Sequence, residues 1–498
     1  MEELGEILKA LSLSENKVET MQKIKPAMSQ LNRETLSKDL SCIDLVALFD
    51  CLNTKNTDQI ERTCDILNYI LQFLDPFFVL EKYGGILKHS LNNPDVRVPV
   101  LVLKQVQRFS QDDDLVRILG SHAIFPHAVK LIDSELTISS QVFTLLYQLA
   151  ETETGLKLLL STVPVLRSAM ETNLTIKVRI LELAVKVGQI SQEHLNAITD
   201  IGMLAPLVDM LNEEDILVRL SAVDLMTNLA CTQQGLRYLE DNNVLATVEI
   251  MMKNSKADPF AETIVPGLIK FFGNIARFRP QLVINQHPVF VSTLLETTDS
   301  SDSTLCAIAF ETIGYIGASL EGKNALHSIG NKFLNSLEKL EQLLCAAHTG
   351  TRIRGLNSVA SLIRLDKENQ TQHFTTLTES WYRHALGHKP MELLHSIVKQ
   401  PFLELRLAVY QILDAMIRQA WGRKEILRQP GLPELLLDRE CERDKPGMDA
   451  KYDIIKYLAD TVEAEQIVGR DIGRNVYEYA KQGPYFILPR SHVALDEE

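Results

Sequence analysis

Short stretches of this chain recur at an interval close to forty residues, and that interval constrains the fold more than any other feature. Equivalent positions fall at Arg97, Ser139, Arg179 and Arg219, which are 42, 40 and 40 residues apart, and the register continues through Cys306, Arg354 and Arg406. Each opens an amphipathic segment, as in Val218-Arg219-Leu220-Ser221-Ala222-Val223, where apolar residues return at helical spacing. Sixteen residues past the mark a glycine recurs in four units: Gly155, Gly235, Gly322 and Gly422. Glycine takes positive φ without steric cost, so these positions are expected to end one helix tightly before the next begins.

A unit of about forty residues built from two or three helices is the armadillo/HEAT pattern, in which no unit buries its apolar stripe alone and neighbours stack. The expected fold is therefore an all-α armadillo/HEAT-like solenoid, a right-handed superhelix of on the order of ten to twelve repeats. Composition agrees. The 498 residues include only 23 Gly and 18 Pro, against roughly 35 and 25 at average usage, and a chain poor in tight turns disfavours sandwiches and barrels. Residues 1–80 read as N-terminal capping helices, 81–430 as the repeats, and 431–498 as capping helices with an extended tail at Gly483-Pro484-Tyr485-Phe486-Ile487-Leu488-Pro489, the whole forming one continuous solenoid.

Charge narrows the partners. With 51 Lys+Arg against 65 Asp+Glu the formal charge is −14, and the basic residues are scattered singly, so nucleic acid is not an expected ligand. The N-terminus lacks the basic and apolar runs of a signal peptide, and no apolar stretch approaches a membrane span of roughly 18 residues. Seven cysteines without a CxxC pair read as free, mostly buried thiols in a reducing compartment. The cytoplasm is the expected location, with the nucleus as a second.

Three motifs invite chemistry and each has a plainer reading. Gly317-Ala318-Ser319-Leu320-Glu321-Gly322-Lys323-Asn324 nearly spells a phosphate-binding loop, but Asn324 replaces the hydroxyl and a helix precedes it, so a helix linker is expected. Asp112-Asp113-Asp114 precedes an apolar helix, where carboxylates cap. His384 and His388 could share a helix face, yet lack a glutamate and a third ligand, so a solvated or locally bonded pair is expected. No catalytic residue, cofactor or metal is assigned.

One constellation points to binding. Nine residues past the register mark lie Gln148 and Asn228, and a copy of the Asn228 context recurs at Asn274. An amide offers donors and an acceptor to a partner's main chain, or else to a neighbouring loop. One turn earlier Asp224 and Lys270 share the same helical face. Gln148, Asp224, Asn228, Lys270 and Asn274 are the candidate partner-binding residues of the concave face.

Several islands, in order, resemble the 26S proteasome non-ATPase regulatory subunit 5 family: Asp258-Pro259-Phe260, Pro266 to Asn274, Thr378-Glu379-Ser380-Trp381, Gln400 to Leu405, Asp449-Ala450-Lys451-Tyr452 and Gly483-Pro484-Tyr485. The first 80 residues match least. This resemblance implies a non-enzymatic assembly chaperone of the proteasome regulatory particle base. Such a chaperone binds the C-terminal domain of one AAA ATPase subunit, in a module with a second ATPase and the large non-ATPase scaffold subunit. It blocks premature docking to the core particle and is a monomer when free. The alternative is an armadillo-type cargo or adaptor protein for nuclear transport or scaffolding. A Trp/Asn ladder would mark a cargo carrier, but Trp381 and Trp421 lie outside the units of Asn228 and Asn274. An all-helical enzyme would need convergent carboxylates or a metal constellation, and none is evident.

Overall fold

The computed structural model describes residues 2–13, 17–24, 26, 44–255, 261–346, 348–461 and 470–486. Among them helices follow one another without a strand, as an all-α solenoid requires. The chain divides into two compact units, Met1–Tyr238 and Leu239–Glu498.

In the first unit a row of long helices carries the register: α1 (Thr57–Leu71), α2 (Arg97–Phe109), α3 (Leu136–Ala150), α4 (Leu174–Ile190) and α5 (Ile216–Leu229), each packed on the next. The second unit has its own row, α6 (Ala261–Phe278), α7 (Ser303–Ile316), α8 (Thr349–Ile363), α9 (Leu403–Ile417) and α10 (Lys445–Ala459), with α11 (Arg470–Gln482) packed on α10. Side chains set the helix starts: Asp215 accepts from the Leu217 N–H at 2.8 Å and Asp302 from Thr304 at 2.7 Å, each satisfying an orphan donor. Helix α7 lies between two row neighbours, and residues Cys306 to Phe310 are all buried, so it is apolar nearly all round.

Helix ends are closed by side chains one repeat away. Arg108 donates to Leu74 O at 2.8 Å, His194 Nε2 meets Ala150 O at 2.8 Å, and Gln234 donates to Gln189 O at 3.1 Å. In the second unit Gln370 donates to Arg418 O at 3.1 Å and the fully buried Gln419 to Ile363 O at 2.7 Å. The last carbonyls of a helix have no partner within it, and these residues supply one from the adjacent repeat.

The recurrent glycines have a different role from the expected one. Gly155, Gly235, Gly322 and Gly422 each occupy the third position of a short helix, and none has positive φ. Three are held by the hydroxyl that caps the helix, with Gly155, Gly235 and Gly322 N–H donating to Thr152, Thr232 and Ser319 at 3.0, 3.1 and 3.0 Å. A Cβ at these positions would fall on the carbonyl oxygen of Leu149, Leu229, Ile316 or Met416, near the end of the preceding row helix. Close backbone approach, not left-handed geometry, selects glycine here.

The Gly317–Asn324 segment is a helix linker, as expected, with Ser319 capping Leu320–Ser328. Its lysine is not solvated. Lys323 is fully buried and donates to Gly317 O and, at 3.2 Å, to Ser361 O. Burial pushes its ammonium down to about 7, partly opposed by Asp366. Between that value and the unfolded 10.5, the unfolded chain binds the extra proton. Stability therefore rises with pH across this window, by up to about 1.4 kcal/mol per pH unit, and the gain levels off above it. Lys323→Met should flatten the rise; urea titrations at several pH values from neutral upward check it, and an unaltered pH slope in the variant would refute it.

Other expectations divide. Asp112 caps its helix, accepting from Asp114 N at 2.9 Å and Leu115 N at 3.2 Å. His384 and His388 do not share a helix face: the helix Gln372–Leu386 stops at Gly387, whose φ is 73°, while His384 meets Glu338 at 3.1 Å. Cys51, Cys64 and Cys306 are buried free thiols, but Cys231, Cys345 and Cys441 are exposed; Cys42 lies outside the described residues. No single described helix is long and apolar enough to cross a membrane. The C-terminal segment turns where an extended tail was expected, because Arg439 grips it. Its guanidinium sits 3.6 Å from the Tyr479 ring centroid and donates to Gly483 O at 2.9 Å and Tyr479 O at 3.2 Å. The tail beyond Phe486 lies outside the described residues.

Candidate functional site

Long row helices leave one narrow strip each unburied, at every third or fourth residue, and the strips of successive helices lie side by side. Three of the sequence-derived candidates fall on such strips in the first unit. Asp224 and Asn228 on α5 are exposed, and Gln148 on α3 is half-buried with its Oε1 enclosed and unbonded. The Asn228 main-chain oxygen accepts from Gln189 of α4, while its side-chain amide engages no other described residue. Lys270, exposed, and Asn274, half-buried, stand one turn apart on α6 in the second unit. The structure thus groups the candidates as Gln148, Asp224 and Asn228 on one unit and Lys270 and Asn274 on the other.

Side chains also bridge neighbouring row helices. In the second unit Arg277 of α6 hydrogen-bonds the Tyr315 hydroxyl of α7, and its guanidinium lies 4.6 Å from that ring's centroid. Glu311 of α7 pairs with Arg354 of α8. Asp414 of α9 accepts Arg364, the residue just past α8, at 2.9 Å and Arg418 at 2.8 Å, and Arg418 lies 5.2 Å from the Tyr457 ring of α10. Both Arg418 hydrogen bonds and nearby carboxylates hold its proton more tightly than usual. In the first unit Arg97 of α2 meets Glu61 of α1 at 2.8 Å and Asp95 at 2.7 Å. The Arg97 hydrogen bond holds the Asp95 carboxyl below its ordinary range.

These bridges were missed from sequence, although a signal exists: Glu311 and Arg354, or Arg277 and Tyr315, are separated by about one repeat. Complementary residues at that separation face each other across adjacent helices. What remains at the surface of each row is a strip of amides, charges and aromatic edges. Such a surface can hold a polypeptide by hydrogen bonds and ion pairs. Among the described residues no group of three or more His, Cys, Asp or Glu is placed to hold a metal ion.

The resembling islands have structural roles here. Phe272, within Pro266 to Asn274, stacks on Phe290 at 5.2 Å; Trp381 is buried edge-on to Phe333 at 5.2 Å; Tyr485 bonds Asp449 at 2.5 Å. Asp258-Pro259-Phe260 lies outside the described residues.

Comparison with known proteins agrees with this architecture. A family described as proteasome non-ATPase 26S subunit matches residues 1–498. The 26S proteasome non-ATPase regulatory subunit 5 of Bos taurus is 32% identical over 495 residues, spanning 98% of each chain. The Homo sapiens protein of the same name is 30% identical over 495 residues, again 98% of each chain. Among solved structures, importin beta aligns with a TM-score of 0.62 at 13% identity, over 95% of this chain and 61% of its own, a likeness of fold alone.

Proposed function

This chain belongs to the 26S proteasome non-ATPase regulatory subunit 5 family, and from that membership we propose that it is a non-enzymatic chaperone in assembly of the proteasome regulatory particle base. In this reading it binds the C-terminal domain of one AAA ATPase subunit, keeps it with a second ATPase and the large non-ATPase scaffold subunit, and withholds it from the core particle until assembly is complete. The cytoplasm is the proposed place of action, with the nucleus as a second.

The observation that carries the reading is a family match over the entire chain, from residue 1 to 498. The row helices support it, because they present long polar strips suited to a folded partner. The experiment is a pull-down of separately purified ATPase C-terminal domains with the full chain, at low and physiological salt. Retention of one domain and not the others is the expected result. Failure of every domain, with capture of basic import-signal peptides instead, would transfer the protein to the cargo-carrier class.

Within the complex, Asn228→Ala combined with Asn274→Ala should weaken binding about tenfold, since about 0.7 kcal/mol of net hydrogen bonding from each amide sums to about 1.4 kcal/mol. Circular dichroism should show unchanged helicity, because neither side chain is part of the buried core. Unchanged affinity would move the contact to another stretch of the rows.

A further inference from the structure

The register arginines are not equivalent. Arg97, Arg354 and Arg406 each meet a carboxylate: Glu61 and Asp95, Glu311, and Glu442 with Asp444, respectively. Arg179 and Arg219, on adjacent helices α4 and α5, do not. Arg179 donates to the Ser139 hydroxyl at 2.7 Å, a neutral partner. Arg219 Nε is enclosed with no hydrogen-bond partner. The position on α3 that receives Arg179 is Ser139, and its register equivalent on the helix before Arg219 is Arg179 itself, another cation. No carboxylate lies within ion-pair distance of either guanidinium among the described residues.

Beside Arg179, between α3 and α4, lies a cavity of about 610 Å³ lined in part by Leu136, Phe143, Tyr147, Arg179, Glu182 and Lys186; Arg219 stands outside this lining, at the same register position on the next helix. Leu136 is 63% exposed, although a large apolar side chain gains by burial. Lys186 is already neutralised by Glu182 at 2.9 Å and lies 4.7 Å from the Phe143 ring centroid. The groove thus presents aromatic and aliphatic surface around one cation that no carboxylate of the chain pairs with, Arg179, and a second such cation, Arg219, follows on the next helix. In a protein of net charge −14 with carboxylates at the other register arginines, that exception selects its ligand by charge complementarity.

The geometry points to a docking site on this face of the first unit for an extended acidic segment of a partner protein, its carboxylates on Arg179 and Arg219 and an aromatic side chain in the adjoining groove. The segment's chemistry follows from this face alone and does not rest on the partner proposed above.

Fluorescence anisotropy of the full chain tests the site. The probe is a labelled peptide, acetylated and amidated at its ends, in which glutamates flank one phenylalanine. It should bind at low salt and weaken steeply as salt rises, and the peptide with lysines in place of glutamates should not bind. Arg179→Gln combined with Arg219→Gln should lower affinity by about tenfold or more. Phe143→Ala should also weaken binding. Arg354→Gln, which removes an arginine already neutralised by Glu311, should leave binding unchanged. Circular dichroism of each variant confirms that it is folded. The site is overturned if the lysine peptide binds as well as the glutamate peptide, or if the folded Arg179→Gln, Arg219→Gln protein binds the glutamate peptide undiminished. Loss of ATPase-domain capture alongside intact peptide binding would refute the partner reading and leave this site standing.

Discussion

Gly155→Ala and Gly322→Ala should each destabilise the chain by about 3 kcal/mol, and by more if the backbone fails to shift. The added methyl would fall on Leu149 O or Ile316 O, backbone atoms that no rotamer change can move aside. Relief requires lifting the short helix from the end of the row helix, which would also stretch the bonds from Gly155 to Thr152 and from Gly322 to Ser319. Gly85 and Gly350 provide the contrast. Both lie in helices, and a Cβ there would meet nothing within 4 Å, so alanine should stabilise by about 0.5–1 kcal/mol through lost unfolded-state freedom. Urea unfolding followed by circular dichroism reads both signs. Equal effects at Gly155 and Gly85 would show that helix propensity, and not backbone approach, governs these positions.

Glu442→Ala should cost about 3–5 kcal/mol, the range for removing one partner of a buried ion pair. The Glu442 side chain is fully buried, and it accepts Arg406 Nε at 2.9 Å and Nη2 at 2.8 Å, with the Tyr410 hydroxyl at 3.3 Å. Without it the Arg406 guanidinium, itself nearly buried on α9, retains only the half-exposed Asp444 at 2.8 Å and the Gln400 carbonyl. Replacing both residues by apolar ones of similar volume should recover much of the loss, because neither charge is then stranded. Acid should act at the same point. Burial alone would raise the Glu442 carboxyl, but the Arg406 hydrogen bonds and charge outweigh it and hold the group below its ordinary 4.5. The unfolded chain then takes up the proton first as pH falls. The pair's contribution is complete above the ordinary carboxylate range and is lost as pH drops through the lowered folded value. Wild type and Glu442→Gln should therefore differ in stability at neutral pH and converge in acid. Parallel curves over the whole range would show that the pair carries no such linkage.

The repeat was legible because stacking forces periodic burial, and periodic burial is written into apolar spacing. The row helices α2 to α5 and α7 to α9 begin within a few residues of the register marks read from Arg97 to Arg406. The glycine at the sixteenth position was also legible, but not its cause: a residue chosen for lack of a Cβ looks the same whether φ or a neighbouring carbonyl demands it. The shared face that the four-residue spacing of His384 and His388 allowed does not form, because Gly387 ends the helix between them, a stop not read from the sequence. For the site, the exposed strips bearing Asn228 and Lys270 could be placed from helical phase alone. The difference between Arg179 and Arg354 could not. Both occupy the same register position, and only the residue supplied by the preceding helix, Ser139 or Glu311, decides whether the charge is neutralised.

The hydrogen bonds that close helix ends from the adjacent repeat have an evolutionary corollary. Arg108, His194, Gln234, Gln370 and Gln419 all bond main-chain oxygens of the neighbouring repeat. A carbonyl is present whatever side chain its residue carries, so Leu74, Ala150 or Ile363 can be exchanged without breaking the bond it receives. Each junction depends on the identity of one residue where a side-chain pair would depend on two, and no compensating change is required on the acceptor side. Drift at the buried acceptor positions is therefore limited by packing alone and not by the bond, and the stacked architecture can outlast the sequence similarity that would reveal it.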